Sequence, residues 1–169
     1  MSGCRVIAVQ YRLAPEHTYP AALITALQVR DAGLWLSGQL IFIYPVLDAT
    51  ASSDSYKLNG SDYILTADTL LSGFEACFPD TDFMHPEASP LFRNDFAGLP
   101  QVHIITAEYD PLRDEGETLF ARMAEQGVKC TAQRYPGVIH GFFQPGGISQ
   151  TAHNLMWDIC ALVDKKNDY

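Results

Sequence analysis

Asp110 and His140 are the two residues whose types and spacing most readily suggest chemistry. An aspartate beside a histidine can fix the imidazole tautomer and stabilise the imidazolium, the orienting half of a nucleophilic triad. Asp110 stands where the apolar run "QVHIITAEY" ends, and His140 follows "KCTAQRYP" within "YPGVIHGFF". The thirty positions between them are about the length of a βαβ unit. Strands of such a unit are parallel neighbours, so both side chains would emerge at the C-terminal edge of a sheet, where open α/β sheets bind ligands. A plainer account fits the same residues: Asp110 caps the helix that follows, and His140 is a lone loop histidine. Glu108, Asp114 and Glu115 are alternative acids. Asp110 is preferred because it stands at the strand end, whereas Asp114 and Glu115 fall in a first helical turn, where acids suit the helix dipole.

The elements that must position this pair are legible as alternating strands and helices. Four segments read as buried strands: residues 5–11, 39–47, 101–109 and 129–136. The second and third are nearly continuous apolar runs, which suits a parallel sheet covered on both faces. The fourth alternates more and is expected nearer an edge. Helices are expected over residues 20–33, stopping at Gly33, over 114–127, ending at Gly127, and over 149–166. This alternation predicts an α/β fold with right-handed crossovers. Residues 48–100 break the rhythm with polar, Pro- and Gly-punctuated loops around one helix, Thr66 to Cys77, for which Thr66 is the expected N-cap. An insertion of that length between core strands is typically a functional loop or lid.

Composition bounds the function. The 169 residues fit a single domain and are 47% apolar, which is globular rather than disordered. A net charge of −9 repels phosphate backbones and anionic membrane surfaces, so nucleic acid is not an expected partner. The longest apolar run, "LIFIYPVL", is far short of a membrane span. The N-terminal apolar run is too short for a signal peptide, and the expected location is the cytoplasm. Cys4, Cys77, Cys130 and Cys160 lack the spacing of a metal knuckle or redox motif and read as buried or idle thiols. His85 and His153 show no metal-ligand pattern, so neither a metal nor a cofactor is expected. His103, inside a core strand, is expected to be a hydrogen-bonded core histidine, and Glu16 with His17 a loop-fixing pair.

The words "YRLAPEHTYPAAL", "GQLIFIYPVLD", "ASPLF", "ITAEYDPLRDEGE" and "YPGVIHGF" occur in that order. Together they resemble the hormone-sensitive-lipase-like branch of the α/β hydrolases, the acetyl esterase and carboxylesterase group. The resemblance covers the chain from Val6 to about Val163, and "YRLAPEH" and "DPLRDEG" are highly specific. It implies that Asp110 is the triad acid, His140 the triad base, and residues 48–100 part of a cap over an acyl pocket. It also implies a small acyl ester as substrate, attacked by a serine.

That serine is where the chain departs from the family. Members carry a strand ending in a G-D-S-A-G-G elbow between the words matching "YPAAL" and "GQL…YP". Here Tyr19 to Gln39 has room for one helix. "LLSGF", "NGSDY" and "GGISQ" lack the flanking glycines and the strand-turn-helix setting of G-x-S-x-G. Ser52, Ser53 and Ser55 are expected in a polar loop. The family's H-G-G turn, part of the oxyanion hole, has no counterpart either. The expectation is a truncated α/β-hydrolase fold over residues 1–169 that keeps the acid and base, lacks the nucleophile, and is marginally stable or self-associating. The alternatives are a catalytically inactive remnant and a module that binds small molecules or protein.

Overall fold

The computed structural model describes residues 22–34, 38–144 and 149–164. The expected strand 5–11, its pairing beside 39–47, Cys4 and the Glu16–His17 pair lie outside the described residues. Among those described, 22–140 belong to one compact unit and 141–164 to a second.

The larger unit starts with helix α1 (Ala22–Asp31), which buries Leu23, Ile24, Ala26 and Leu27, one face at helical spacing. Its end follows from Gly33. At φ 64° this residue takes the left-handed conformation that costs a residue with a Cβ. The N–H groups of Gly33 and Leu34 then close back on the carbonyls of Arg30 and Val29, a Schellman stop. Strand β1 (Gln39–Ile43) follows. It is shorter than the apolar run 39–47 suggested, because Tyr44 turns to φ 37° and Pro45 has no N–H to continue a ladder.

Residues 48–100 hold more structure than expected. Besides helix α3 (Ala67–Cys77) there is a helix α2 (Asp54–Asn59) and a 3₁₀ turn at Pro90–Phe92. The segment "DSYKLN" is too short to show a helical period, which hid α2. Thr66 caps α3 as expected, its hydroxyl accepting the Thr69 N–H at 3.2 Å. Ala49, Tyr56, Leu70, Phe74 and Ala88 of the segment form a second buried cluster with Leu112, while its Leu91, Phe96 and Leu99 join the main core.

Strand β2 (Gln101–Tyr109) leads through a tight turn into helix α4 (Arg113–Glu125), which ends in a second Schellman stop at Gly127 (φ 75°). Strand β3 (Cys130–Ile139) completes a parallel sheet in the order β1-β2-β3. Thus β2 is the central strand of the described sheet, and β3 lies at an edge. One core joins α1, β1, β2 and α4 through Leu23, Leu27, Phe42, Val102, Ile104, Leu119 and Met123. Helix α4 approaches β2 closely at Gly116, where a Cβ would stand 2.8 Å from Thr106 Cγ2.

The second unit carries helix α5 (Gln150–Asp164), with the Ser149 hydroxyl accepting the Ala152 N–H at 3.4 Å. Among the described residues no helix is long and apolar enough to cross a membrane.

Candidate active site

The register of β2 and β3 determines which residues meet at the end of the sheet. Val102 pairs with Cys130 and the strands run in step to Ala107 and Tyr135. The next pairing is Tyr109 with Ile139, so β3 has spent two more residues than β2. Gly137, at φ 72°, lies inside this irregularity, and its N–H donates to Glu108 Oε2. Beyond the bulge the partners are thirty positions apart. The next residue of each strand is therefore Asp110 on one side and His140 on the other.

These two residues touch. His140 Nδ1 lies 2.9 Å from Asp110 Oδ2. The Asp110 side chain is fully buried and that of His140 a quarter exposed. A carboxylate can only accept, so Nδ1 carries the proton in this contact, and the neutral tautomer that it selects has its lone pair on Nε2. Asp110 also serves the plainer purpose: its Oδ1 accepts the Leu112 N–H at 2.9 Å, and its carbonyl accepts the Arg113 N–H at 3.2 Å. Capping the turn and orienting the histidine are done by different oxygens of one carboxylate. The ring of Tyr44 lies against the His140 ring, with centroids 4.5 Å apart and planes inclined by 57°. A non-glycine residue at positive φ costs about 1–3 kcal/mol and tends to occur where surrounding structure holds a site in place. Tyr44 is one, at the end of β1 beside the dyad.

The alternative acids are engaged elsewhere. Glu108 serves the bulge. Asp114 Oδ2 accepts the Ser55 N–H at 2.8 Å, and its Oδ1 pairs with Arg113. Glu115 is fully buried; its Oε2 accepts the Leu47 N–H at 2.9 Å and its Oε1 takes the Tyr56 hydroxyl at 3.4 Å. Burial pushes the Glu115 carboxyl well above the usual range, outweighing the backbone N–H groups that lower it. Tyr56 is raised as well, by burial first and by Glu115 next.

The serines near the sheet edge are likewise committed. Ser52 donates to Asp48 Oδ2 at 3.0 Å, Ser53 shares a hydrogen bond with Ser55, and Ser55 donates to the Pro111 carbonyl. Ser55 is buried within α2 rather than carried by a polar loop, which corrects the expectation drawn from its neighbours. His103 is the buried, hydrogen-bonded core histidine expected, with Nδ1 2.7 Å from Thr131 Oγ1. His85 accepts the Glu87 N–H. Among the described residues no cluster of three or more His, Cys, Asp or Glu could hold a metal.

The sequence profile of the α/β-hydrolase fold matches residues 1–29 and 22–144. An arylesterase of Saccharolobus solfataricus is 30% identical over 199 positions, taking in 95% of this chain and 64% of its own length. An ethyl acetate hydrolase of Pseudomonas putida is 29% identical, over 89% of this chain and 60% of its own. Among solved structures, a hyperthermophilic esterase from the archaeon Pyrobaculum calidifontis superposes with a TM-score of 0.89 at 32% identity, over 99% of this chain and 68% of its own. An α/β-hydrolase enzyme from the metagenome of Lake Arreo gives 0.81 at 34%, over 88% of this chain and 47% of its own. The chain belongs to the α/β-hydrolase fold family, in its hormone-sensitive-lipase-like carboxylesterase branch. It spans between about half and two thirds of the length of the arylesterase, the ethyl acetate hydrolase and a carboxylic ester hydrolase of Mycobacterium tuberculosis.

Proposed function

We propose that the chain carries the acid–base half of an ester-hydrolysing site, with Asp110 as the acid and His140 as the general base, and that it lacks the serine that would complete it. The observation that supports this most is the 2.9 Å contact between Asp110 Oδ2 and His140 Nδ1 at the C-terminal edge of the parallel sheet. In that geometry Asp110 holds the Nδ1 proton, leaving Nε2 free to take a proton from a hydroxyl or water and to return it to a leaving alkoxide. Asp110 would stabilise the imidazolium in between. The substrate class is a small carboxylic ester, and residues 48–100, five of which cluster with Leu112 apart from the main core, would form part of a cap over the acyl group.

Two observations support the missing nucleophile. The family profile matches in two pieces that meet around residues 22–29 instead of running through. The alignment with the arylesterase extends over 199 positions although the chain has 169 residues, so it leaves gaps opposite this chain. Both fit the loss of a segment between Tyr19 and Gln39, where the elbow is expected. Without a nucleophile the dyad acts at best as a general base on water, and activity falls by several orders of magnitude.

A serine-directed fluorophosphonate and a short-chain aryl ester test the proposal. No covalent label and no acyl-enzyme burst are expected. Stoichiometric labelling that disappears in His140→Ala would sink it, by revealing a serine within reach of the imidazole.

A further inference from the structure

The turn that carries Asp110 is held by side chains of helix α2. Pro111 has no N–H, so this turn has one fewer backbone donor with which to fix itself. Helix α2 supplies donors instead. The Ser55 hydroxyl donates to the Pro111 carbonyl at 2.5 Å and accepts the Asp114 N–H at 3.2 Å. The Asn59 amide donates to the carbonyls of Asp110 and Glu108, at 3.4 and 3.5 Å. Both side chains are buried: Ser55 has no exposed surface and Asn59 about a twentieth.

The covalent geometry makes these bonds more than scaffolding. The Pro111 carbonyl and the Leu112 N–H belong to one planar peptide unit. Ser55 holds one end of that plane, and the other end holds Asp110 Oδ1. The adjoining plane, between Asp110 and Pro111, is held at its carbonyl by Asn59. A rotation of either plane would carry the carboxylate with it, and Oδ2 would leave His140 Nδ1. We propose that Ser55 and Asn59 are positioning residues for the dyad, setting the direction of the Asp110 carboxylate through the two peptide planes that flank Pro111. The inference rests on the dyad reading above.

Its test reads the dyad directly and needs no turnover. In the full chain labelled with ¹⁵N, the His140 Nδ1 proton bound to a buried carboxylate gives a downfield ring N–H resonance. Asp110→Asn should remove or strongly shift that resonance; if it does not, the dyad reading itself fails. Ser55→Ala and Asn59→Ala should move it upfield and speed its exchange with water by roughly two- to tenfold, the range expected when one modest hydrogen bond is lost. Thr66→Ala removes the side-chain cap of α3, a hydrogen bond to Thr69 in which neither Ser55, Asn59 nor Asp110 takes part. It should lower the melting temperature while leaving the resonance in place. Folded Ser55→Ala and Asn59→Ala variants with an unmoved resonance and unchanged exchange would overturn the inference while leaving the dyad standing. Asn59→Asp, which keeps the size and removes both N–H donors, replaces Asn59→Ala should that variant not fold. Loss of the fold in all three also counts against the inference, since the residues would then hold the whole unit rather than one turn.

Discussion

The N–H of Gly137 donates to the carboxylate of Glu108 at 2.6 Å, at the place where β2 and β3 fall out of step. The bond ties the bulged strand to its straight neighbour one residue before the Tyr109–Ile139 pairing resumes. Gly137 needs its positive φ there, and the space around it is open, with nothing within 4 Å of where a Cβ would stand. A substitution therefore meets a conformational cost and no clash. Gly137→Ala should lower stability by about 1–2 kcal/mol, the penalty of a left-handed L-residue. Urea unfolding checks this, with a shifted midpoint and an unchanged slope. An unshifted midpoint would mean that the bulge can relax into another conformation.

Gly116 is constrained by space rather than by torsion. Alanine there gains about 1 kcal/mol in helix propensity over glycine. Its Cβ would stand 2.8 Å from Thr106 Cγ2, a buried methyl of the central strand. Overpacking of this sort costs about 1–3 kcal/mol. The clash is expected to win, so Gly116→Ala should melt below the parent protein. Gly116→Ala combined with Thr106→Ser, which removes the opposing methyl, should recover part of the loss.

Glu115 makes stability depend on pH. Its folded carboxyl titrates above the ordinary glutamate value, so the folded state holds a proton that the unfolded state has released. Stability from this residue is fully present below the unfolded value, about 4.3, and is lost as pH rises through the folded one. Chemical unfolding followed from about pH 5 upward should show that decline, and Glu115→Gln should flatten it. Glutamine can still accept the Leu47 N–H, so the variant should be at least as stable as the parent at the alkaline end. Glu115→Ala leaves that N–H buried and unpaired, at a cost of about 1–3 kcal/mol. An unchanged slope in Glu115→Gln would assign the pH dependence to another group.

The thiols should separate by reactivity. Cys160 is exposed on α5, whereas Cys130 is partly covered, its thiol raised by burial and directed at the Phe120 carbonyl. The thiolate is the reactive form, so iodoacetamide should label Cys160 well before Cys130. Peptide mapping by mass spectrometry distinguishes them, and earlier labelling of Cys130 would contradict its burial.

Much of the fold was legible because its signals are local. Gly33 and Gly127 stop helices where the sequence places them, Thr66 caps α3, and the apolar run of β2 marks a strand buried on both faces, whereas β1 is only half-buried along most of its length. Asp110 and His140 were legible as a pair because a parallel unit of thirty residues returns to the same edge. What stayed hidden depends on contacts rather than on pattern. Pro136 and Gly137 suggested the end of a strand, yet β3 continues through them because a bulge accommodates both. Glu115 looked like one more acid at a helix start, and nothing local told that its turn faces inward toward Leu47 and Tyr56. Ser55 and Asn59 lie four apart in a polar segment, and their partners are more than forty residues downstream.

The thirty-residue interval also has a kinetic meaning. The Asp110–His140 contact closes a loop containing the whole of α4 and β3, and it exists only once the bulged ladder has zipped to its end. Contacts of such long sequence separation form after the local ones, because the entropy of loop closure must be met before the contact rewards it. The helical stops at Gly33 and Gly127 need only neighbours within five residues and can form at once. The dyad is thus a clock at the far end of the sheet. During refolding, a signal from His140 should arrive only after helical signal has been gained.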